Sequence, residues 1–170
     1  MRFTRKFLKV MIRISLIAVG KIKEKYLKDA VSEYTKRLGK YAKLTILEVE
    51  DEKTPEQAGA ALKEQILKKE AGRIHYHLKP EAVVISLEID GKVMDSEKFA
   101  AYLAKQAVGG ISHLQFIIGG SLGLHQTVKE RADMRLSFSA LTFPHQLMRV
   151  IVLEQIYRAF RINNGEPYHK

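Results

Sequence analysis

Three short stretches of this sequence hold residue types that can do chemistry. Gly119-Gly120-Ser121-Leu122-Gly123 follows an apolar run and offers backbone that a ligand can approach closely. Phe138-Ser139-Ala140-Leu141-Thr142-Phe143 has no charge, no Gly and no Asn or Asp, which is not ordinary turn composition. Glu166-Pro167-Tyr168-His169-Lys170 brings an acid, a phenol, an imidazole and an ammonium together. An apolar loop must be covered and its backbone groups paired. A flat, weakly polar ligand such as adenine does both, with ring faces on apolar side chains and ring nitrogens on backbone groups. Burial of the loop by its own neighbours is the alternative.

The glycine turn has neither the G-x-G-x-x-G spacing of a dinucleotide site nor the Lys-Ser/Thr of a P-loop. It is therefore either a ligand-facing turn at the carboxyl end of a strand or a tight turn that needs glycine angles. The helix expected after Pro144 carries apolar residues almost all the way round, from Leu147 through Val150, Ile151, Leu153 and Ile156 to Phe160 and Ile162. Such a helix is buried on most sides, and in a chain this small that points to a second subunit as well as a sheet. Glu154, Arg158 and Arg161 share the remaining face. Glu154 and Arg158 form an i, i+4 pair, read either as a surface ion pair or as an orienting pair beside an RNA site.

These stretches must be positioned by the rest of the chain. With 170 residues, 46% hydrophobic and 28% charged, the sequence has the profile of one soluble domain. No cysteine is present, which excludes disulfides and thiolate metal sites and fits a cytoplasmic location. The net charge of +10 favours a polyanionic partner, nucleic acid first. No apolar run is long enough to span a membrane. Residues 1–10, with Arg2, Arg5, Lys6 and Lys9, are expected to be an N-terminal extension ahead of a single domain over 11–170.

Apolar runs at Ile12–Val19, Leu44–Val49, Ala82–Ile89, His113–Ile118 and Arg135–Phe138 predict strands. Helices are predicted over Lys23–Leu38, from a Thr54-Pro55-Glu56-Gln57 cap to His77, and over Glu97–Val108, His125–Ala132 and the segment after Pro144. Asp90-Gly91 reads as a turn. Alternation of strands and helices predicts an α/β fold with a mostly parallel sheet flanked by helices.

FIIGGSLGLH, LSFSALTFPHQLMRVIVLEQIYRAF and the terminal GEPYHK, with LIAVGKIKEKY and VVISLEIDGK, resemble the RlmH family of SPOUT-class ribosomal RNA methyltransferases. The resemblance runs from Met11 to Lys170. It implies a C-terminal trefoil knot, a homodimer, and methylation of N3 of a pseudouridine in helix 69 of 23S rRNA on the assembled ribosome. S-adenosyl-L-methionine is the implied cofactor, held by Leu87, Gly119 and Phe138, Ser139, Ala140, Leu141, Thr142 and Phe143. Some members end in Tyr-His-Arg, so Lys170 departs by losing the bidentate guanidinium fork.

An imide nitrogen must shed its proton to attack a methyl group. His169 is the first choice as base and His145 the second. Tyr168 and Arg158 are placed with them in catalysis, and His145, Arg149, Glu154 and Lys170 are expected to contact the RNA substrate, the cations by offsetting phosphate charge. No metal is expected. Two rival readings are a SPOUT enzyme with another target, such as a tRNA ribose, and a non-enzymatic ribosome-associated RNA-binding protein.

Overall fold

The structure is a computed structural model and describes residues 11–168. The expected extension at 1–10 and the terminal His169 and Lys170 lie outside the described residues. In chain order the elements are β1 (Ile12–Val19), α1 (Lys25–Leu38), β2 (Ala42–Val49), α2 (Ala60–His77), β3 (Val83–Val93), α3 (Ser96–Val108), β4 (His113–Ile118), α4 (Gln126–Arg131), β5 (Met134–Ser137) and α5 (His145–Asn163). The five strands form one sheet in the order β2-β1-β4-β3-β5, and every pairing is parallel. The expected α/β class is the observed one.

The continuous apolar runs have a physical cause: both faces of the sheet are covered. Ile14, Leu16 and Ala18 of β1, with Leu114 and Phe116 of β4, pack against α1, α3 and α5. Ile17 and Val19, with Ile117 and Val84, pack against α2 and α4. Both β1 and β4 sit at the centre of the strand order, and all six residues of β4 are buried.

Three boundaries differ from expectation. Lys23 stays outside α1 because its backbone N–H donates to Gln146 Oε1 at 3.1 Å rather than starting a helical turn. Thr54 caps nothing; a turn closes from Ala58 N–H to the Pro55 carbonyl, and α2 begins only at Ala60 with Gly59 at the cap position. Asp90-Gly91 is not the end of a strand. β3 runs on to Val93, and its register against β5 shifts between Leu87 and Lys92. Gly91 permits this, since a Cβ there would stand 2.7 Å from the Leu136 carbonyl carbon.

Among the described residues no helix is long and apolar enough to cross a membrane. Between β1 and β4, the buried His113 Nε2 shares a 2.8 Å hydrogen bond with the Ser15 hydroxyl. Burial, helped by the Arg13 charge, holds this imidazole below the ordinary histidine value of 6.5. As pH falls, the unfolded chain therefore binds the proton first, and stability is lost below 6.5. Thermal melts from about pH 7.5 to about 5.5 should show a falling Tm, with a shallower fall in His113→Gln. Equal slopes in the two proteins would remove His113 from the acid response.

Candidate cofactor site and tail

The carboxyl ends of parallel strands leave a crevice where ligands sit, and here a cavity of about 190 Å³ opens beside β3, β4 and β5. Leu87, Glu88 and Ile89 come to it from β3, and Ile118, Gly119, Gly120, Ser121 and Gly123 from the end of β4 and its turn. The β5–α5 segment contributes Leu136, Phe138, Ser139, Leu141, Thr142, Phe143, His145 and Met148. Every cofactor residue expected from the sequence lines the space except Ala140, which sits on the same loop with its side chain in solvent.

Gly119 cannot be any other residue without moving backbone. Its Cβ would stand 2.5 Å from the Gly123 carbonyl oxygen. The turn closes from Gly123 N–H to the Gly120 carbonyl at 3.0 Å, with Gly123 at φ +80°. The apolar loop is braced from within: the Ser137 hydroxyl donates to the Ser139 carbonyl, and Leu141 N–H donates to Ser139 Oγ. Leu141 is nonetheless 70% exposed. The neighbours bury the loop only in part: Phe138 packs on the core beside Phe99, while Ala140, Leu141 and Thr142 stay exposed.

Two titratable groups stand in the wall. Glu88 reaches the cavity with its side chain only 4% exposed. Burial pushes its carboxyl up, but hydrogen bonds from Arg135, Ser86 and Lys129 outweigh that and hold it below the usual carboxylate range. Sequence reasoning missed Glu88; an acid inside the apolar run Val83–Ile89 was the available signal. Burial lowers the His145 imidazole below its usual value, and the nearby Arg149 charge adds to this, against a smaller opposing effect of Asp51. His145 is therefore neutral at pH 7 and able to accept a proton.

Arg149 does not reach RNA. It is 1% exposed. Nη1 donates to Glu48 Oε2 at 2.5 Å, and Nη2 donates to the Gly20 carbonyl at 2.7 Å and the Val19 carbonyl at 3.3 Å. Its Nε has no partner among the described residues. The expectation of a phosphate-gripping arginine fails because the guanidinium is consumed in tying α5 to the ends of β1 and β2.

The tail residues assemble elsewhere. Arg158 Nη2 donates to Glu154 Oε1 at 2.7 Å, and the Tyr168 hydroxyl donates to the same oxygen at 3.2 Å. The Arg158 guanidinium lies 4.7 Å over the Tyr168 ring, and Tyr157 meets that ring edge-on. Arg161 leaves this group and pairs with Glu166, which also accepts from the Tyr41 hydroxyl at 2.9 Å. At the helical rise, Glu154 lies roughly 13 Å along α5 from His145, so the Glu154, Arg158 and Tyr168 cluster is separate from the cavity of the same chain. Among the described residues no group of three or more His, Asp or Glu is arranged to hold a metal ion.

The family model described as "Predicted SPOUT methyltransferase" matches residues 12–169. The chain is 60% identical to the ribosomal RNA large subunit methyltransferase H of Bifidobacterium adolescentis, over 94% of this chain and 100% of that protein. It is 54% identical to the protein of the same name from Carboxydothermus hydrogenoformans, with the same coverage. A solved structure of a probable methyltransferase from Bordetella pertussis Tohama I shares the fold, with a TM-score of 0.53 at 11% identity, over 87% of this chain and 96% of that one.

Arg149→Ala deletes a fully buried side chain and the donor of the buried Val19 and Gly20 carbonyls, and should cost about 3 kcal/mol in denaturant unfolding, whereas Arg158→Ala should cost about 1 kcal/mol or less. Equal losses would contradict the assignment of Arg149 to the framework.

Proposed function

We propose, from the premise that this chain belongs to the ribosomal RNA large subunit methyltransferase H family of SPOUT methyltransferases, that it methylates N3 of a pseudouridine in helix 69 of 23S rRNA on the assembled ribosome, with S-adenosyl-L-methionine as donor. One observation carries the methyl-donor part. A turn with no room for a Cβ at Gly119 faces an uncharged loop whose Leu141 stays exposed. That pairing fits an adenosyl group, whose ring needs close backbone and apolar faces but no cation. Leu87, Gly119 and Phe138 to Phe143 would hold it. When bound, it supplies an electrophilic methyl on a sulfonium.

The chain's own residues have two tasks: holding N3 in line, which can supply much of the acceleration, and accepting the N3 proton. His169, next to the Tyr168 that Glu154 and Arg158 hold, is the first base. His145 is the second reading, favoured by its place in the cavity wall and its lowered pKa. Lys170 and Arg158 would offset phosphate charge or that of the deprotonated imide.

Two features support a homodimer. Leu147, Val150 and Ile151 of α5 remain half-buried in the single chain, which leaves apolar surface for a partner. Tyr168, the last described residue, is held at Glu154 rather than at its own cavity, so a second copy is the natural source of a tail beside that cavity. The C-terminal trefoil knot and a cytoplasmic place of action belong to this proposal as well.

Incubating the protein with ribosomes and labelled cofactor should place the methyl group on the pseudouridine, and ribosomes lacking pseudouridine should stay unlabelled. Labelling of a tRNA ribose instead would move the target. Gly119→Arg should abolish calorimetric cofactor binding; unaltered binding would remove the cavity assignment. His169→Ala should keep cofactor affinity and lose at least about 100-fold in turnover. If turnover survives there and collapses in His145→Ala, the base is His145.

A further inference from the structure

The segment joining β1 to α1, Lys21-Ile22-Lys23-Glu24-Lys25-Tyr26-Leu27-Lys28, has no part in the site described above. Lys21, Lys23 and Lys28 are exposed and make no ion pair among the described residues, whereas Lys25 is matched by Asp29 at 2.6 Å. Tyr26 is 69% exposed, while Leu27 beside it is buried. A single exposed aromatic is ordinary on a protein surface; here it stands with three lysines that make no ion pair among the described residues, which joins a stacking face to free positive charge.

Its placement is fixed. The Gly20 carbonyl accepts from Arg149 at 2.7 Å, Ile22 N–H donates to Glu48 at 3.1 Å, and Lys23 N–H donates to Gln146 at 3.1 Å. Backbone anchors thus flank both Lys21 and Lys23. They lead to the first turn of α5, whose His145 and Met148 line the cavity. Lys21 and Lys23 are thereby held beside the first turn of α5, and Tyr26 and Lys28 follow within the first turn of α1.

We propose that Lys21, Lys23, Lys28 and Tyr26 form a docking surface for unpaired RNA flanking the target nucleotide. The ammonium groups meet phosphates, and the Tyr26 ring stacks on a splayed base. Phosphate contacts set position and affinity, and stacking on an aromatic side chain suits any unpaired base. An acidic protein surface would use the lysines but not the open ring. This inference rests on the RNA-methyltransferase reading, and Arg149 and Glu48 enter it as positioning residues.

The test uses the full chain, protein-free 23S rRNA without cofactor, and ribosomes with labelled cofactor. A Lys21→Gln/Lys23→Gln double variant should keep cofactor affinity and Tm. Its log–log salt dependence of rRNA binding should flatten by about 0.7 to 0.9 per lysine. Tyr26→Ala should weaken rRNA binding about 5- to 100-fold, and Tyr26→Phe should restore it. An unchanged salt slope, or wild-type rRNA affinity in Tyr26→Ala, would overturn the docking surface. So would losses seen with ribosomes and absent with protein-free rRNA, which would place the contact on a ribosomal protein. If the slopes shift as expected but the wild-type chain methylates no ribosome, the methyltransferase reading fails and the RNA surface stands.

Discussion

A guanidinium removed from water must find acceptors, and Arg149 finds three: Glu48 and the carbonyls of Val19 and Gly20. Those acceptors belong to the ends of β1 and β2, while Arg149 itself stands on the second turn of α5. One buried side chain thus locks a helix onto the edge of the sheet where the cavity opens. Replacing such a pair by apolar groups of the same size can leave stability unchanged, so its worth lies less in energy than in uniqueness. A slid or rotated α5 would strand the buried guanidinium, since Glu48 at the surface can turn to water and Arg149 cannot. The β5–α5 loop, launched from a short strand and received by this helix, inherits its position from that lock.

Much of the frame was legible because the sheet is covered on both faces. The runs Ile12–Val19 and His113–Ile118 are unbroken in apolar character, and the observed strands begin and end where those runs do. The cavity was legible for the same local reason: an uncharged loop and a glycine turn, each at the end of a strand. Long-range pairings were not legible. Glu48 and Arg149 lie 101 positions apart, and no periodicity links them. An arginine on a helix near an expected RNA site reads as a phosphate ligand until its burial is known. The Thr54-Pro55-Glu56-Gln57 sequence has every mark of a cap, yet Glu52 N–H and Arg73 make bonds to Glu70 and Glu52 that fold the preceding segment back across α2. Tertiary contacts outvoted local chemistry there.

Charge is distributed with a purpose that its total conceals. Several carboxylates are already committed to cations of the chain: Glu88 to Arg135 and Lys129, Glu48 to Arg149, Glu166 to Arg161. The lysines of the β1–α1 segment are not. A positive field is strongest where cations lack internal partners, so the net charge of +10 understates the polarity of that side of the molecule.

Gly91 lies on β3, yet the chain it nearly touches is β5, whose Leu136 carbonyl carbon would be 2.7 Å from an added Cβ. Immediately after β5 the chain becomes the Phe138–Phe143 loop. The angle at which that loop departs is therefore governed by the closeness of two backbones, one of which carries no side chain at the crossing. A side chain at position 91 would have to displace β5, and with it Leu136 and Phe138 of the cavity wall, although Gly91 is not itself part of that wall. A search for what shapes the cavity that is confined to its lining would overlook it.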